Sequence, residues 1–300
     1  MLHQLSNWVY QLLFIMNNTE KRQELTQEQL RKMQLLELGM AEELDRVCRK
    51  HNIMYSLDGG TLIGAVRHKG FIPWDDDMDI CMLREEYEKF KKVAHEMNPD
   101  ICFFQDHDTD PNYRWGFAKL RRTGTSFVRL GQEHMNYQTG IAIDVFPLDD
   151  VPKSIIGQMI MDFYCFCLRK ILWSEAGKKT DTGIKRLWFA VLSKIPSDFV
   201  FKRIKKISQK SRNTTANRVR VLMFPSIGKI YYKRPLKERY SIPKKWFTEL
   251  AEYEFEGKKF WGTKDYNARL YHQYGDYMTL PPEDKRESHI PFSYIDLGDN

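Results

Sequence analysis

The chain has 300 residues, 42% of them hydrophobic and 13% aromatic, enough to bury a full core and incompatible with wholesale disorder. Its formal charge of +7 and pI near 9.0 favour anionic partners such as nucleotides, phosphorylated glycans, an anionic membrane face or nucleic acid. The five cysteines, Cys48, Cys81, Cys102, Cys165 and Cys167, are odd in number and match no zinc spacing, which points to reduced thiols rather than a disulfide framework.

Ser6–Met16 is apolar, but no Lys or Arg precedes it and no small-residue cleavage site follows, so it is not expected to be a secretory signal. Thr26–Cys48 has helical periodicity, with Leu36, Met40, Leu44 and Val47 on one stripe. Ile53–Leu57 reads as a short strand ending at a Gly59-Gly60 turn, and Thr61–Arg67 as a helix. Asp77–Leu83 alternates as a strand, with Asp77, Asp79 and Cys81 on one face and Met78, Ile80 and Met82 on the other. Arg84–Met97 returns to helix. Ile101–Phe104, Trp115–Leu120, Ser126–Leu130 and Gly140–Phe146 read as strands, and the last holds one charge, Asp144, between Ile143 and Val145.

After Pro152 the character becomes helical and basic, over Ser154–Trp173 and Thr182–Gln209. The apolar run Ile155–Leu168 is shorter than the ~20 residues of a spanning helix. Cys165 and Cys167 fall in it as expected core residues. Lys202, Arg203, Lys205, Lys206 and Lys210 form the densest basic group, either a solvated face or a contact for anionic lipid or polymer. The tail is aromatic-rich from Phe247 to Pro282. The organisation expected is a core over 1–150, a basic helical section over 151–230 and a C-terminal segment over 231–300 that packs back on the core.

Asp75, Asp76, Asp77 and Asp79 crowd into five positions. At close range each like-charge pair repels by up to about 4 kcal/mol at an effective dielectric of about 20, and the apolar run that follows draws the cluster toward the core. A divalent cation is the first explanation. Asp77, Asp79 and Asp144 would supply an oxygen-only site, which suits magnesium or manganese with phosphate oxygens and waters completing the shell. Backbone amides at Gly59, Gly60 and Thr61, where the turn enters a helix, can approach phosphate closely. Arg67 follows two turns on, and Lys119 and Arg121 share strand parity toward the same point. Together these are the equipment of phosphoryl transfer.

A small-residue turn, a carboxylate-x-carboxylate strand and a later strand carboxylate, in that order, resemble the nucleotidyltransferase-fold superfamily. More narrowly, GGTLIGAVRHKGFIPWDDDMDICM (Gly59–Met82) resembles the LicD family of phosphocholine transferases, related to fukutin-type proteins. FAKLRRTGTSF (Phe117–Phe127), GIAIDVFPLD (Gly140–Asp149) and YGDYMTLPPEDKRESH (Tyr274–His289) resemble LicD segments in the same order, so the likeness spans about Thr26 to His289. It implies an α/β fold of the α+β kind, a mixed sheet flanked by helices with a helical lobe. It also implies transfer of phosphocholine from CDP-choline to a sugar hydroxyl of a surface polysaccharide precursor (teichoic acid, lipopolysaccharide or capsule), with release of CMP.

Carried onto this chain, the resemblance gives Asp77, Asp79 and Asp144 to the metal and the acceptor hydroxyl. The substrate falls to Gly59, Gly60, Thr61, Arg67, Lys119, Arg121 and His289. Trp74 and Tyr277 could offer ring faces to a quaternary ammonium. CDP-ethanolamine, CDP-glycerol and CDP-ribitol are alternative donors, and a lipid-linked glycan is the expected acceptor. Nucleotidyl transfer to nucleic acid is the rival reading, but no nucleic-acid motif is present and no such partner is expected. The protein is expected in the cytoplasm, peripheral at most to the membrane face.

Overall fold

The computed structural model describes residues 25–211, 217–224, 234–286 and 291–298. Helix α1 (Gln27–Lys50) opens it. The Thr26 hydroxyl accepts the Gln29 amide at 3.1 Å while the Gln29 side chain accepts the Thr26 amide at 3.0 Å, a reciprocal box that satisfies two helix-start donors. Strand β1 (Ser56–Leu57) leads straight into α2 (Gly59–His68). β2 (Asp79–Leu83) runs into α3 (Arg84–Val93), and a 3-10 turn, Ala94–Glu96, finishes the helical stretch predicted to Met97. β3 (Cys102–Gln105), β4 (Ala118–Arg122), β5 (Ser126–Arg129) and β6 (Ala142–Asp150) follow.

The helical section is α4 (Ile155–Thr180), α5 (Gly183–Leu192) and α6 (Ser197–Ser211). The single run predicted over Thr182–Gln209 divides near Pro196, which cannot donate to an upstream carbonyl and restricts its predecessor. β7 (Arg218–Arg220), α7 (Leu236–Arg239), β8 (Ile242–Pro243), β9 (Leu250–Phe255), β10 (Lys258–Thr263), α8 (Tyr266–Tyr274) and β11 (Phe292–Asp296) complete the described chain.

The main sheet runs β3-β4-β6-β2-β1-β10-β9, with β7 paired to the last two residues of β6 and β8 paired to β7. It is mixed: β2 is parallel to β6 and β1 to β10, and the other neighbours are antiparallel. β5 and β11 form a separate two-stranded sheet. The fold is therefore the α/β architecture with flanking helices that the sequence suggested. The hairpin β9–β10, which was not read from the sequence, turns on Glu256 and Gly257, both at positive φ (52° and 73°), the geometry a two-residue hairpin turn requires.

Period-2 alternation sorts the sheet faces as expected. Met78, Ile80, Ile143, Val145 and Leu120 join the α1 stripe of Met40, Leu44 and Val47 in the main core. Cys81, Phe146 and Leu148 point the other way and pack on Val219, Trp246 and Phe247. A third cluster lies between α4 and α6, where Cys165 and Leu168 meet Val200 and Ile204. Cys165 is buried there as expected, whereas Cys167 is only half-buried. Each large apolar side chain so buried contributes about 1.5–3 kcal/mol. Among the described residues no helix is long and apolar enough to cross a membrane.

Several strand bounds need correction: the strand placed at Ile53–Leu57 is only Ser56–Leu57, and the one placed at Gly140–Phe146 runs from Ala142 to Asp150. The strand placed at Trp115–Leu120 is Ala118–Arg122: Trp115 leaves the sheet to pack on Trp173 at 5.6 Å, and Gly116 lies so close to Met223 that a Cβ would stand 2.1 Å from it. The strand placed at Asp77–Leu83 begins only at Asp79, so Asp77 approaches from the preceding loop rather than from the alternating face.

Candidate active site

The site forms where β1 ends and β2 begins. Asp79 is the first residue of β2, and its register partner in parallel β6 is Asp144. Partners in neighbouring strands project to the same face, so the two carboxylates share one side of the sheet, opposite the main core. The Asp144 amide donates to Met78 O at 2.9 Å and the Asp79 amide to the Thr61 hydroxyl at 2.8 Å. Those bonds tie β6, β2 and the first turn of α2 into one unit. Asp75 and Asp76 are buried beside them and Asp77 is half-buried.

The glycine pair has a geometric reason. Gly59 sits at φ +59°, and a Cβ there would lie 2.8 Å from Asp79 Oδ2; a Cβ on Gly60 would lie 2.6 Å from Asp75 Oδ2. The missing side chains let two carboxylates press against the start of α2, where the amides and the helix dipole favour negative charge. Thr61, predicted on the phosphate side, spends its hydroxyl oxygen on the Asp79 amide.

Burial, and then the charges of Asp77, Asp144, Asp58 and Asp75, push the Asp79 carboxyl well above the usual carboxylate range. Two buried side chains missed in the sequence enlarge the cluster. Asp58, one residue before the glycines, accepts from Arg269 Nη2 at 2.5 Å and from Cys81 Sγ at 3.3 Å. Glu37 of α1 is wholly buried, and neither of its carboxylate oxygens has a hydrogen-bond partner. Burial first, then Asp77, Asp76, Asp75 and Asp144, raise its carboxyl well above the usual range. The signal for Glu37 was present: it falls four residues after Met33 and seven before Leu44, on the stripe that α1 buries. Nothing local announces Arg269, which lies 211 residues from Asp58.

The cations are distributed differently from expectation. Lys119 stands opposite Asp144 in the β4–β6 register and forms an ion pair with it. Burial draws its ammonium down to about 8, against the pull of Asp144 and with help from Arg129 and Arg121. Arg121 is buried and braces the sheet, donating from Nε to Gln105 at 2.7 Å and from Nη1 to Gly140 O at 2.8 Å. Arg67 donates to Tyr277 O at 2.6 Å, linking α2 to the chain after α8. Tyr277 belongs to the main core and Trp74 carries the Arg286 guanidinium 5.3 Å from its ring centroid, so neither ring is an open platform for a ligand cation. Tyr274 instead brings its hydroxyl to within 3.5 Å of a Cβ built on Gly59, beside Asp79. His289 lies outside the described residues.

Among the described residues no group of three or more His, Cys, Asp or Glu side chains is arranged to hold a metal ion by itself. The donor set nonetheless fits a hard cation. It is all oxygen, it includes a carboxyl that burial and then neighbouring carboxylates hold above the usual range, and Glu37 leaves two buried oxygens unmatched. Magnesium typically takes only one or two protein carboxylates and completes its octahedron with phosphate oxygens and water.

Comparison with known proteins identifies the family. Residues 52–166, which span Asp77, Asp79, Lys119 and Asp144, match the family described as LicD/FKTN/FKRP, nucleotidyltransferase domain. Over 274 residues the chain is 32% identical to the lipopolysaccharide cholinephosphotransferase LicD of Haemophilus influenzae, covering 89% of this chain and 98% of that protein. The chain belongs to the LicD family. Shorter matches relate this LicD-family chain to two uncharacterized rickettsial proteins. The one from Rickettsia typhi is 41% identical over 54 residues, 18% of each chain. The one from Rickettsia prowazekii is 45% identical over 47 residues, 16% of this chain and 18% of that one.

Proposed function

We propose that this LicD-family protein transfers phosphocholine from CDP-choline to a sugar hydroxyl of a lipopolysaccharide precursor at the cytoplasmic face of the membrane. The acceptor oxygen attacks the choline-bearing phosphorus, the diphosphate P–O bond breaks, and CMP leaves with the electron pair. The observation that supports this most is identity to a lipopolysaccharide cholinephosphotransferase along nearly the whole chain, with Asp79 and Asp144 in register beside a glycine-opened helix start.

In this reading Asp77, Asp79 and Asp144 would hold magnesium or manganese, which would neutralise charge on the diphosphate oxygens. The amides of Gly60 and Thr61 orient the phosphates at the α2 N-terminus. Asp144 orients the acceptor hydroxyl and takes up its proton, while Lys119 holds that carboxylate in place from β4. Arg121 keeps β3, β4 and the approach to β6 rigid beneath them, and Arg67 fixes the chain at Tyr277 along the edge of the site.

The test is CMP release by the full-length chain with lipopolysaccharide acceptor and, in parallel, CDP-choline, CDP-ethanolamine, CDP-glycerol and CDP-ribitol. CDP-choline is expected to give the highest kcat/KM. Asp79→Asn should lower kcat by about 10²–10³, with the far-UV circular dichroism unchanged. Release from another donor in preference would reassign the headgroup, and no CMP from any of the four would overturn the reading.

A further inference from the structure

A surface helix of a water-soluble domain turns its apolar stripe inward and its charges outward. α4 and α5 have a second apolar face that points to solvent. α4 buries Cys165, Leu168 and Leu172 against α6 and the chain near Leu222, yet its opposite side exposes Ile156, Ile160 and Phe163 at 66, 66 and 68%. α5 seats Phe189 on Gly177 of α4, where a Cβ would lie 2.5 Å from the ring. The face of α5 turned away from that contact shows Ile184, Leu187 and Val191 at 83, 68 and 64%. Asp162 of α4 is turned inward to Arg220, and Glu175 is paired with Lys178.

The charge is as localised as the apolar surface. Residues 155–211 hold twelve Lys or Arg against four Asp or Glu, a net +8 where the whole chain is +7. The entire positive surplus therefore sits in these three helices. α6 exposes Lys202, Arg203, Lys205, Lys206 and Lys210. Tyr164 and Trp188 are 40 and 48% exposed on the same apolar helices, and such half-polar rings favour the headgroup level of a membrane.

We propose that α4 and α5 lie in the interface of an anionic phospholipid bilayer, with their outer apolar side chains below the headgroups and the exposed Lys179, Arg186 and Lys194 that adjoin them in the chain against lipid phosphate. A bilayer presents an apolar layer directly beneath a layer of negative charge, the complement of this surface. A second copy of the chain would set +8 against +8.

The experiment uses the full-length chain and vesicles of phosphatidylcholine alone or mixed with phosphatidylglycerol, with no nucleotide or glycan present, so its result is independent of the transferase reading. Wild type is expected to pellet with the mixed vesicles and to be released by salt. Ile160→Glu/Phe163→Glu/Leu187→Glu should weaken pelleting by about tenfold or more, with an unchanged melting temperature because all three side chains are exposed. Acyl chains carrying bromine should quench fluorescence in wild type and much less in Trp188→Leu. If the triple variant melts early, that quenching decides alone. Wild type left in the supernatant, a triple variant that pellets like wild type, or a concentration-dependent dimer that the triple variant abolishes would each overturn the proposal.

Discussion

Glu37 is a fully buried carboxyl with two unpartnered oxygens, facing the loop that carries Asp75, Asp76 and Asp77. A buried carboxylate without a partner is costly, and the usual relief is protonation or a cation. Its pKa is raised by folding, so the folded chain binds this proton more tightly than the unfolded chain does. The corresponding stability is fully present below about pH 4.5 and is lost as pH rises through the folded value. In chelator, Glu37→Gln, which copies the protonated form, should melt higher than wild type at pH 8. The difference should shrink toward pH 5, and a melting scan at several pH values reads it. If Glu37 also faces a bound cation, adding magnesium should stabilise wild type more than the variant; equal stabilisation would separate Glu37 from the metal.

The junction from β1 through α2 to β2 shows how an element positions the site. Gly64 packs against the chain that returns after the helix, and a Cβ there would lie 2.4 Å from Gly70 O. Backbone cannot swing aside, so Gly64→Ala should destabilise by about 1–3 kcal/mol, seen as a lower melting temperature. Gly60→Ala meets only the end of the Asp75 side chain, at 2.6 Å. That carboxylate can turn away, so this variant should keep most of its stability and lose turnover as the cluster is rearranged. The contrast between the two substitutions, stability against kcat, separates packing from site geometry within one helix. The order of the junction was legible in the sequence because glycines, alternation and the acidic run are local signals. The exact start of β2 was not: period-2 alternation continues through Asp77, whereas the β2–β6 ladder begins at Asp79.

At the scale of the whole molecule, α8 locks the C-terminal chain onto the site through Arg269 and Asp58, whose side chains are 5 and 11% exposed. Breaking a buried ion pair leaves one charge stranded, so Arg269→Met should cost about 3–5 kcal/mol. Asp58→Asn in the same chain should recover part of that loss, a double-mutant cycle measured by denaturant unfolding. His272, on the same helix, is buried near Trp246, and burial together with Arg269 and Arg234 draws its pKa from 6.5 to about 4. The unfolded chain then takes up a proton that the folded chain refuses. Stability from this group is complete above pH 6.5 and declines as pH falls from 6.5 to 4. His272→Gln should flatten the melting temperature across that window.

The sequence by itself determined which segments are helix or strand in the core, which strand faces are apolar, the glycine-to-carboxylate order and the family to which these belong. Those properties follow from local periodicity and from motifs within a few residues. Tertiary structure decided the rest: that Lys119 neutralises Asp144, that Asp58 meets Arg269, that Glu37 looks into the cluster, and that β9 and β10 extend the sheet. Each depends on strand order or register, and one alternating pattern is compatible with many neighbours. Only the packed sheet, where long-range contacts are chosen together, fixes which side chains share the site.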